Sequence, residues 1–193
     1  MATAPNKIDK PRLSAADWEQ AALEVMAESG IAAVAVEPLA RRLGVTKGSF
    51  YWHFASREAL IDAALARWEQ SDLGEIMAVV DRFPDPRDRL RELFQRGSRG
   101  HLIHTVYSAL FSAVDNPQAA PVMERVTERR LEYLTNSFRQ LGMAEDEARH
   151  RARLTYTAYV GFLQLARQLH GTRMTGEEFE AYVEHMMQTL IPE

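Results

Sequence analysis

Apolar residues recur at helical spacing along most of the chain. Trp18, Ala22, Val25 and Met26 fall on one face of a segment that Ser14 opens and Gly30 ends, with Asp17 three residues after Ser14 as a variant capping box. Two proline-free spans, Leu39–Phe83 and Val122–Ile191, are rich in Ala, Leu, Glu, Arg and Gln, which are strong helix formers. The one strand-like run, Ile31–Val36, is short and alanine-rich. The pattern predicts an all-α protein of about nine helices. A short helix is expected over Glu37–Leu43, with Pro38 tolerated in its first turn. A second opens at Thr46 and runs to about Phe54, and Ser56 caps a third. Further helices are expected over Pro86–Arg99, His101–Val114, Gln118–Leu141, Glu145–Leu169 and Thr175–Ile191, separated by Gly100, the Asp115-Asn116-Pro117 turn, Gly142 and the Gly171–Gly176 stretch. A composition change near residue 58 divides the chain into an N-terminal head, 1–58, and a C-terminal helical bundle, 59–193.

Composition narrows the chemistry. The 193 residues include no cysteine, which excludes a disulfide framework, thiolate metal sites and a cysteine nucleophile. The longest unbroken apolar run is the six residues Ile31–Val36, far short of the ~18–20 that cross a bilayer. The first residues, MATAPNKIDKPRLS, lack the apolar core of a secretory signal, so a soluble cytoplasmic protein without a membrane partner is expected. A net charge of −4 for the whole chain argues, taken alone, against a nucleic-acid partner.

Glu37–Phe54, EPLARRLGVTKGSFYWHF, carries the most information. A short helix with apolar Leu39, Ala40 and Leu43 meets a tight Gly44-Val45 turn, and a second helix begins at Thr46. Two helices joined by a three- or four-residue turn containing Gly form a helix-turn-helix. Ala40 is small where the helices cross, and Phe50 and Phe54 are spaced to pack the second helix on the core. Thr46, Lys47, Ser49, Tyr51, Trp52 and His53 are then left outward, as on a recognition helix in a major groove.

At these residues the chain resembles the TetR/AcrR-like bacterial transcriptional regulators. The resemblance rests on Leu39-Ala40, Leu43-Gly44-Val45, Lys47-Gly48-Ser49-Phe50-Tyr51, His53-Phe54 and Ser56-Arg57-Glu58-Ala59-Leu60, and covers about residues 14–62. It implies that Thr46, Lys47, Ser49 and Trp52 face base edges or nearby phosphates of double-stranded operator DNA. Tyr51 and His53 would meet phosphates or thymine methyls. Arg57, where lysine is common, would clamp a phosphate. Two positions depart from the family pattern. Ala35-Val36 stand where a capping threonine is frequent, and Glu37 puts an acid where a base is frequent; either the first helix of the pair contacts DNA less than usual, the favoured reading, or Glu37 accepts a hydrogen bond from a cytosine amino group.

The charge distribution then changes meaning. Residues 1–60 hold seven bases (Lys7, Lys10, Arg12, Arg41, Arg42, Lys47, Arg57) and seven acids, so the whole −4 lies beyond them. Five of those acids are Asp9, Asp17, Glu19, Glu24 and Glu28, whereas the bases sit on the N-terminal arm and around the helix-turn-helix. Lys7, Lys10 and Arg12 on the arm are placed to lie along a DNA backbone or in a minor groove.

A single reading head contacts few bases, so a homodimer reading two half-sites is expected. Tyr156, Tyr159, Val160 and Leu163 of one C-terminal helix, with Phe179, Val183, Met186 and Met187 of the last, are its candidate interface, in a four-helix bundle with their two-fold mates. For each residue singly, packing in its own subunit's core is the simpler reading. The resemblance also implies a cavity for a small-molecule effector among the middle helices. Trp68, Phe94, His101, His104, Tyr107 and Phe111 are its candidate lining; His101, His104 and Tyr107 place polar groups on one side of an apolar helix. No cofactor is implied. One Glu-x-x-His pair, Glu147 and His150, matches only half of a di-iron carboxylate site and is flanked by Arg149, Arg151 and Arg153, so an enzyme is not expected. The resulting expectation is a ligand-responsive repressor with no catalytic or metal site. The competing one is a helical ligand-binding or scaffold protein that keeps the head but does not use it on DNA.

Overall fold

The computed structural model describes residues 13–98, 102–168 and 174–191. Among them are nine α-helices and no strand: α1 (Ala15–Ser29), α2 (Val36–Arg42), α3 (Lys47–Phe50), α4 (Arg57–Arg82), α5 (Pro86–Ser98), α6 (Leu102–Phe111), α7 (Ala119–Gln140), α8 (Glu145–Gln168) and α9 (Gly176–Leu190). Lys7, Lys10, Arg12 and His101 lie outside the described residues. None of these helices is long and apolar enough to cross a membrane.

Local chemistry explains most boundaries. The backbone N–H of Ser14 donates to the Asp17 carboxylate at 2.7 Å, which holds that carboxyl below its ordinary pKa and starts α1. Gly30, at φ +84°, ends it. The strand-like run that follows is a single turn of 3-10 helix, Ile31–Ala33, with Ile31 and Val34 buried. Its small residues let the chain turn back sharply, and it has no neighbour to pair with as a strand. At the end of α2, Gly44 sits at φ +68°. Its N–H bonds to the Arg41 carbonyl and that of Val45 to the Ala40 carbonyl, a Schellman closure that non-Gly residues accommodate poorly.

The second helix of the helix-turn-helix is shorter than expected. It covers Lys47–Phe50, and Tyr51–His53 form a turn instead of continuing to Phe54. The following Ser56 must be extended (φ −151°, ψ 167°) so that its hydroxyl can accept from the Ala59 N–H at 3.1 Å and open α4. The chain therefore leaves helical geometry early. Phe50 and Phe54 still reach the core, and Phe50 meets Trp18 edge-on at 5.3 Å.

Helix α4 is common to both parts of the molecule. Its first turns close the floor of the head with Leu60 and Ile61, and its middle carries Ala64, Leu65 and Trp68 into the core below. The expected division at residue 58 falls in its first turn, not in a linker. Trp68 donates through Nε1 to the Ile103 carbonyl of α6 at 3.0 Å, and α1 packs against both α4 and α6. Helix α7 runs against α8, and α9 rests on α5 with an Arg91–Glu184 ion pair at its edge.

The expected dimer-interface stripe turns inward. Tyr156, Val160, Leu163, Val183, Met186 and Met187 are buried in the chain's own core; Tyr159 and Phe179 are partly buried against it. Helices α5 and α7 already cover the apolar faces from which the interface was read. On α8 the outward apolar residues are Leu154 and Leu165, 60% and 50% exposed.

Phe50 is fully buried at the centre of the head. Phe50→Ala should cost about 3–5 kcal/mol of stability, measured by urea unfolding followed through tryptophan emission. A loss below about 1 kcal/mol would mean that this ring does not hold the head together.

Candidate nucleic-acid interface and internal cavity

The helix-turn-helix presents a polar and aromatic surface over a dry core. Thr46 and Lys47 are exposed and Ser49 and His53 partly so, while Tyr51 is 56% and Trp52 84% exposed. This indole is not packed against the described residues, although it lies two positions after the buried Phe50. Thr46 occupies the N-cap position in extended geometry, yet its hydroxyl makes no capping bond and is left for an outside partner.

Two bases around this surface, Lys47 and Arg42, are engaged internally, whereas Arg41 is exposed. Lys47 Nζ donates to the Glu37 carboxylate at 3.0 Å; the hydrogen bond and the opposite charge lower the pKa of Glu37 and raise that of Lys47. Arg42 reaches back to α1, donating to Glu28 at 2.8 Å and Glu24 at 3.0 Å. The acid that departs from the family pattern at position 37 is therefore the partner of the first base of α3.

Arg57 departs from the role the resemblance implied. Its Nε donates to the Val34 carbonyl at 2.5 Å and a terminal nitrogen to the Ile31 carbonyl at 3.2 Å, so the guanidinium ties the turn after α1 to the start of α4. In this conformation those donors are not available to a phosphate. The Ile31 carbonyl also accepts from the Val34 N–H at 3.3 Å, and a planar cation with several N–H groups reaches it and the Val34 carbonyl at once.

Below the head, a cavity of about 80 Å³ lies among α4 to α8. Of the residues expected to line it, Phe94 and His104 do. Trp68 and Tyr107 are fully buried beside it in the core, and Phe111 faces a separate surface groove with Val114 and Met123. Tyr156 and Tyr159, expected at a dimer interface, form part of its wall. Their hydroxyls explain the placement: Tyr156 shares hydrogen bonds with Tyr107 at 2.5 Å and Thr127 at 3.0 Å, and Tyr159 with His104 Nδ1 at 2.7 Å. Burial, and then the neighbouring Tyr156, push the Tyr107 phenol well above its ordinary range; burial raises Tyr159 as well.

The residues that periodicity did not single out are Asp72 and Arg130. Both are buried, and they form an ion pair from α4 to α7, with Arg129 3.6 Å from the same carboxylate. The Arg130 guanidinium lies 4.4 Å over the Tyr107 ring and 5.3 Å from that of Tyr159. Burial works against its charge, but Tyr159 and Asp72 outweigh that and keep it protonated. A signal existed: Asp72 follows Leu65 and Trp68 on one face of α4, and Arg130 falls between Val126 and Leu134 on the apolar face of α7, where each charge is costly unless paired. Glu147, by contrast, pairs with Arg151 at 3.1 Å on an exposed face, and His150 is exposed beside it. Among the described residues, no three His, Cys, Asp or Glu side chains gather as metal ligands.

If Arg57 acts as a tie, Arg57→Ala should lower stability by about 1–3 kcal/mol and speed amide exchange across residues 31–36. Unchanged exchange there would return Arg57 to an outward role.

Residues 20–64 match the family model described as bacterial regulatory proteins, tetR family. The HTH-type transcriptional repressor KstR2 of Mycobacterium tuberculosis (strain CDC 1551 / Oshkosh) is 29% identical over 110 residues, 57% of this chain and 48% of that protein. KstR2 of Rhodococcus jostii (strain RHA1) is 30% identical over 127 residues, 66% of this chain and 60% of that protein. The chain spans about half the length of the curated relatives it matches. In fold it is similar to a TetR transcriptional regulator from Legionella pneumophila, with a TM-score of 0.78 at 16% identity over 97% of this chain and all of that one.

Proposed function

We propose, from the match of residues 20–64 to the tetR family model and the similarity to KstR2, that this chain is a TetR-type, ligand-responsive transcriptional repressor, acting in the cytoplasm as a homodimer on a palindromic operator. Residues 1–58 serve as the reading head and 59–193 as the sensing and dimerising part, joined through α4. The observation that carries the reading is the exposed Tyr51-Trp52 pair beside Lys47 on a helix-turn-helix whose other face is dry. Thr46, Lys47, Ser49 and Trp52 are its base-edge candidates. Tyr51 and His53 are its candidates for phosphates or thymine methyls, and Lys7, Lys10 and Arg12, which lie outside the described residues, are candidates for the adjacent backbone from the sequence alone.

The dimer surface fits the outward side of α8. Leu154, Gly161 and Leu165 recur there at helical spacing, and a Cβ added at Gly161 meets nothing within 4 Å among the described residues, which leaves room for a partner helix. The effector site fits the cavity, because α4 passes from its wall into the head. A ligand that prefers one placement of α4 shifts the separation of the two reading heads, and DNA in turn weakens that ligand by the same factor.

Binding to DNA upstream of the chain's own gene tests the reading. Lys47→Ala and Tyr51→Ala should each weaken specific binding by about 1–3 kcal/mol, read by titration at fixed salt. Glu37→Gln releases Lys47 and should raise affinity for unrelated DNA, steepening its salt dependence by about one counterion. No specific complex at moderate salt overturns the repressor reading. Leu154→Arg should turn the dimer into monomer in sedimentation and weaken the operator complex with it; an unchanged dimer moves the interface elsewhere.

A further inference from the structure

Besides Asp72 Oδ2, which lies 3.6 Å from Arg129, and the Tyr133 hydroxyl, two further buried polar groups on the cavity wall make no hydrogen bond among the described residues. One is Nη1 of Arg130, in a residue 9% exposed whose other terminal nitrogen is taken by Asp72. The other is the hydroxyl of Thr155, in a residue 1% exposed on α8. Buried donors left open at one cavity call for an acceptor between them. Both border the same space, and the rest of the wall is largely apolar: Leu93, Phe94 and Leu134.

The charge of the surroundings selects among acceptors. Glu69 and Asp72 on α4 face Arg125, Arg129 and Arg130 on α7 in one connected network, which leaves one positive charge in excess. Arg96, also on the wall, is balanced by Glu92 at 2.9 Å. In a site of low polarity an excess cation with an open N–H favours an anionic acceptor over a neutral one, and disfavours a cation. Size narrows it further. At about 80 Å³ the space is near half that of an apolar cavity of ~150 Å³ that takes up benzene, so a short chain fits.

We propose that this cavity binds a small organic monocarboxylate, its oxygens accepting from Arg130 Nη1 and the Thr155 hydroxyl and its short apolar tail lying against Leu93, Phe94 and Leu134. This deepens the reading of the cavity as the effector site and rests on it for the regulatory consequence. A carboxylate on Nη1 brings a second anion to the guanidinium whose other terminal nitrogen Asp72 holds, so it repels Asp72 and shares its cation, and Asp72 belongs to the helix that begins in the head. The ligand therefore loosens the tie between α4 and α7 and acts on the spacing of the heads through that one pair.

The test is binding to the full-length protein without DNA, so its outcome is independent of operator recognition. Butyrate, butyramide and n-butylammonium, three probes of one length and different charge, are compared by thermal shift and calorimetric titration. Butyrate should raise the Tm by several degrees at tens of millimolar, with little effect from the other two. In the charge-neutral double variant Asp72→Asn/Arg130→Gln, checked for native helicity, butyrate affinity should fall at least tenfold. In Thr155→Val it should fall several-fold. An equal response to butyramide or n-butylammonium overturns the anionic assignment. An unaltered butyrate response in the folded double variant moves the site away from Arg130, and no response to any probe overturns the proposal. If butyrate binds as expected while no operator complex forms, the ligand assignment stands and the repressor reading fails. If the operator complex forms and butyrate binds without weakening it, the site stands and the effect through Asp72 is wrong.

Discussion

Two buried charges that cannot be left alone fix how the halves of this molecule meet. Asp72 and Arg130 are 58 positions apart in the chain and share one hydrogen-bonded contact inside the core. Removing either partner would strand the other at a cost of about 3–5 kcal/mol, whereas a matched apolar pair would be about as stable. What the ion pair supplies is therefore register, not net stability. It sets where α4 lies along α7, and Glu69 with Arg125 and Arg129 extends the same constraint by one turn. Because the first turns of α4 floor the head, the position of the helix-turn-helix follows from a contact in the other part of the chain.

The head shows a second electrostatic principle. A count of seven bases and seven acids in residues 1–60 says only that the region is neutral. The structure shows how part of that neutrality is arranged, Lys47 on Glu37 and Arg42 on Glu24 and Glu28, while Arg67, from beyond the head, lies 3.5 Å from Glu19. Exposed pairs of this kind add little to stability. Their effect is to withdraw cations from the surface that would otherwise collect phosphates indiscriminately, which leaves discrimination to the hydroxyls and aromatic rings of the short third helix. Under the proposed repressor reading, weak non-specific attraction is the useful side of a neutral head.

Legibility in the sequence followed the range of the interaction. The capping box at Ser14 and Asp17, the closure at Gly44 and the Ser56 cap each depend on residues within a few positions, and each is where the pattern put it. The third helix was overextended because Thr46–Phe54 has nothing in it that forbids a helix; what ends it is the extended backbone that Ser56 needs to open the next one. The inward stripes of α8 and α9 were read correctly as apolar and assigned to the wrong partner. Periodicity identifies a face that must be buried, and it carries no information about which surface covers it. Tyr156 and Tyr159 moved from a supposed interface to a cavity wall for that reason, and Arg57 moved from phosphate to backbone carbonyl because the carbonyls it satisfies lie 23 and 26 residues away.

The sequence by itself determined the all-α class, the helix limits set by caps and glycines, and the helix-turn-helix with its outward residues, since these depend on local propensity and on a motif confined to some fifty residues. Tertiary structure alone decided that α4 belongs to both parts of the molecule, that Asp72 and Arg130 meet, and which rings enclose the cavity. Those outcomes depend on how long-range burial is shared among helices, and a buried charge finds its partner only when the fold has closed around both.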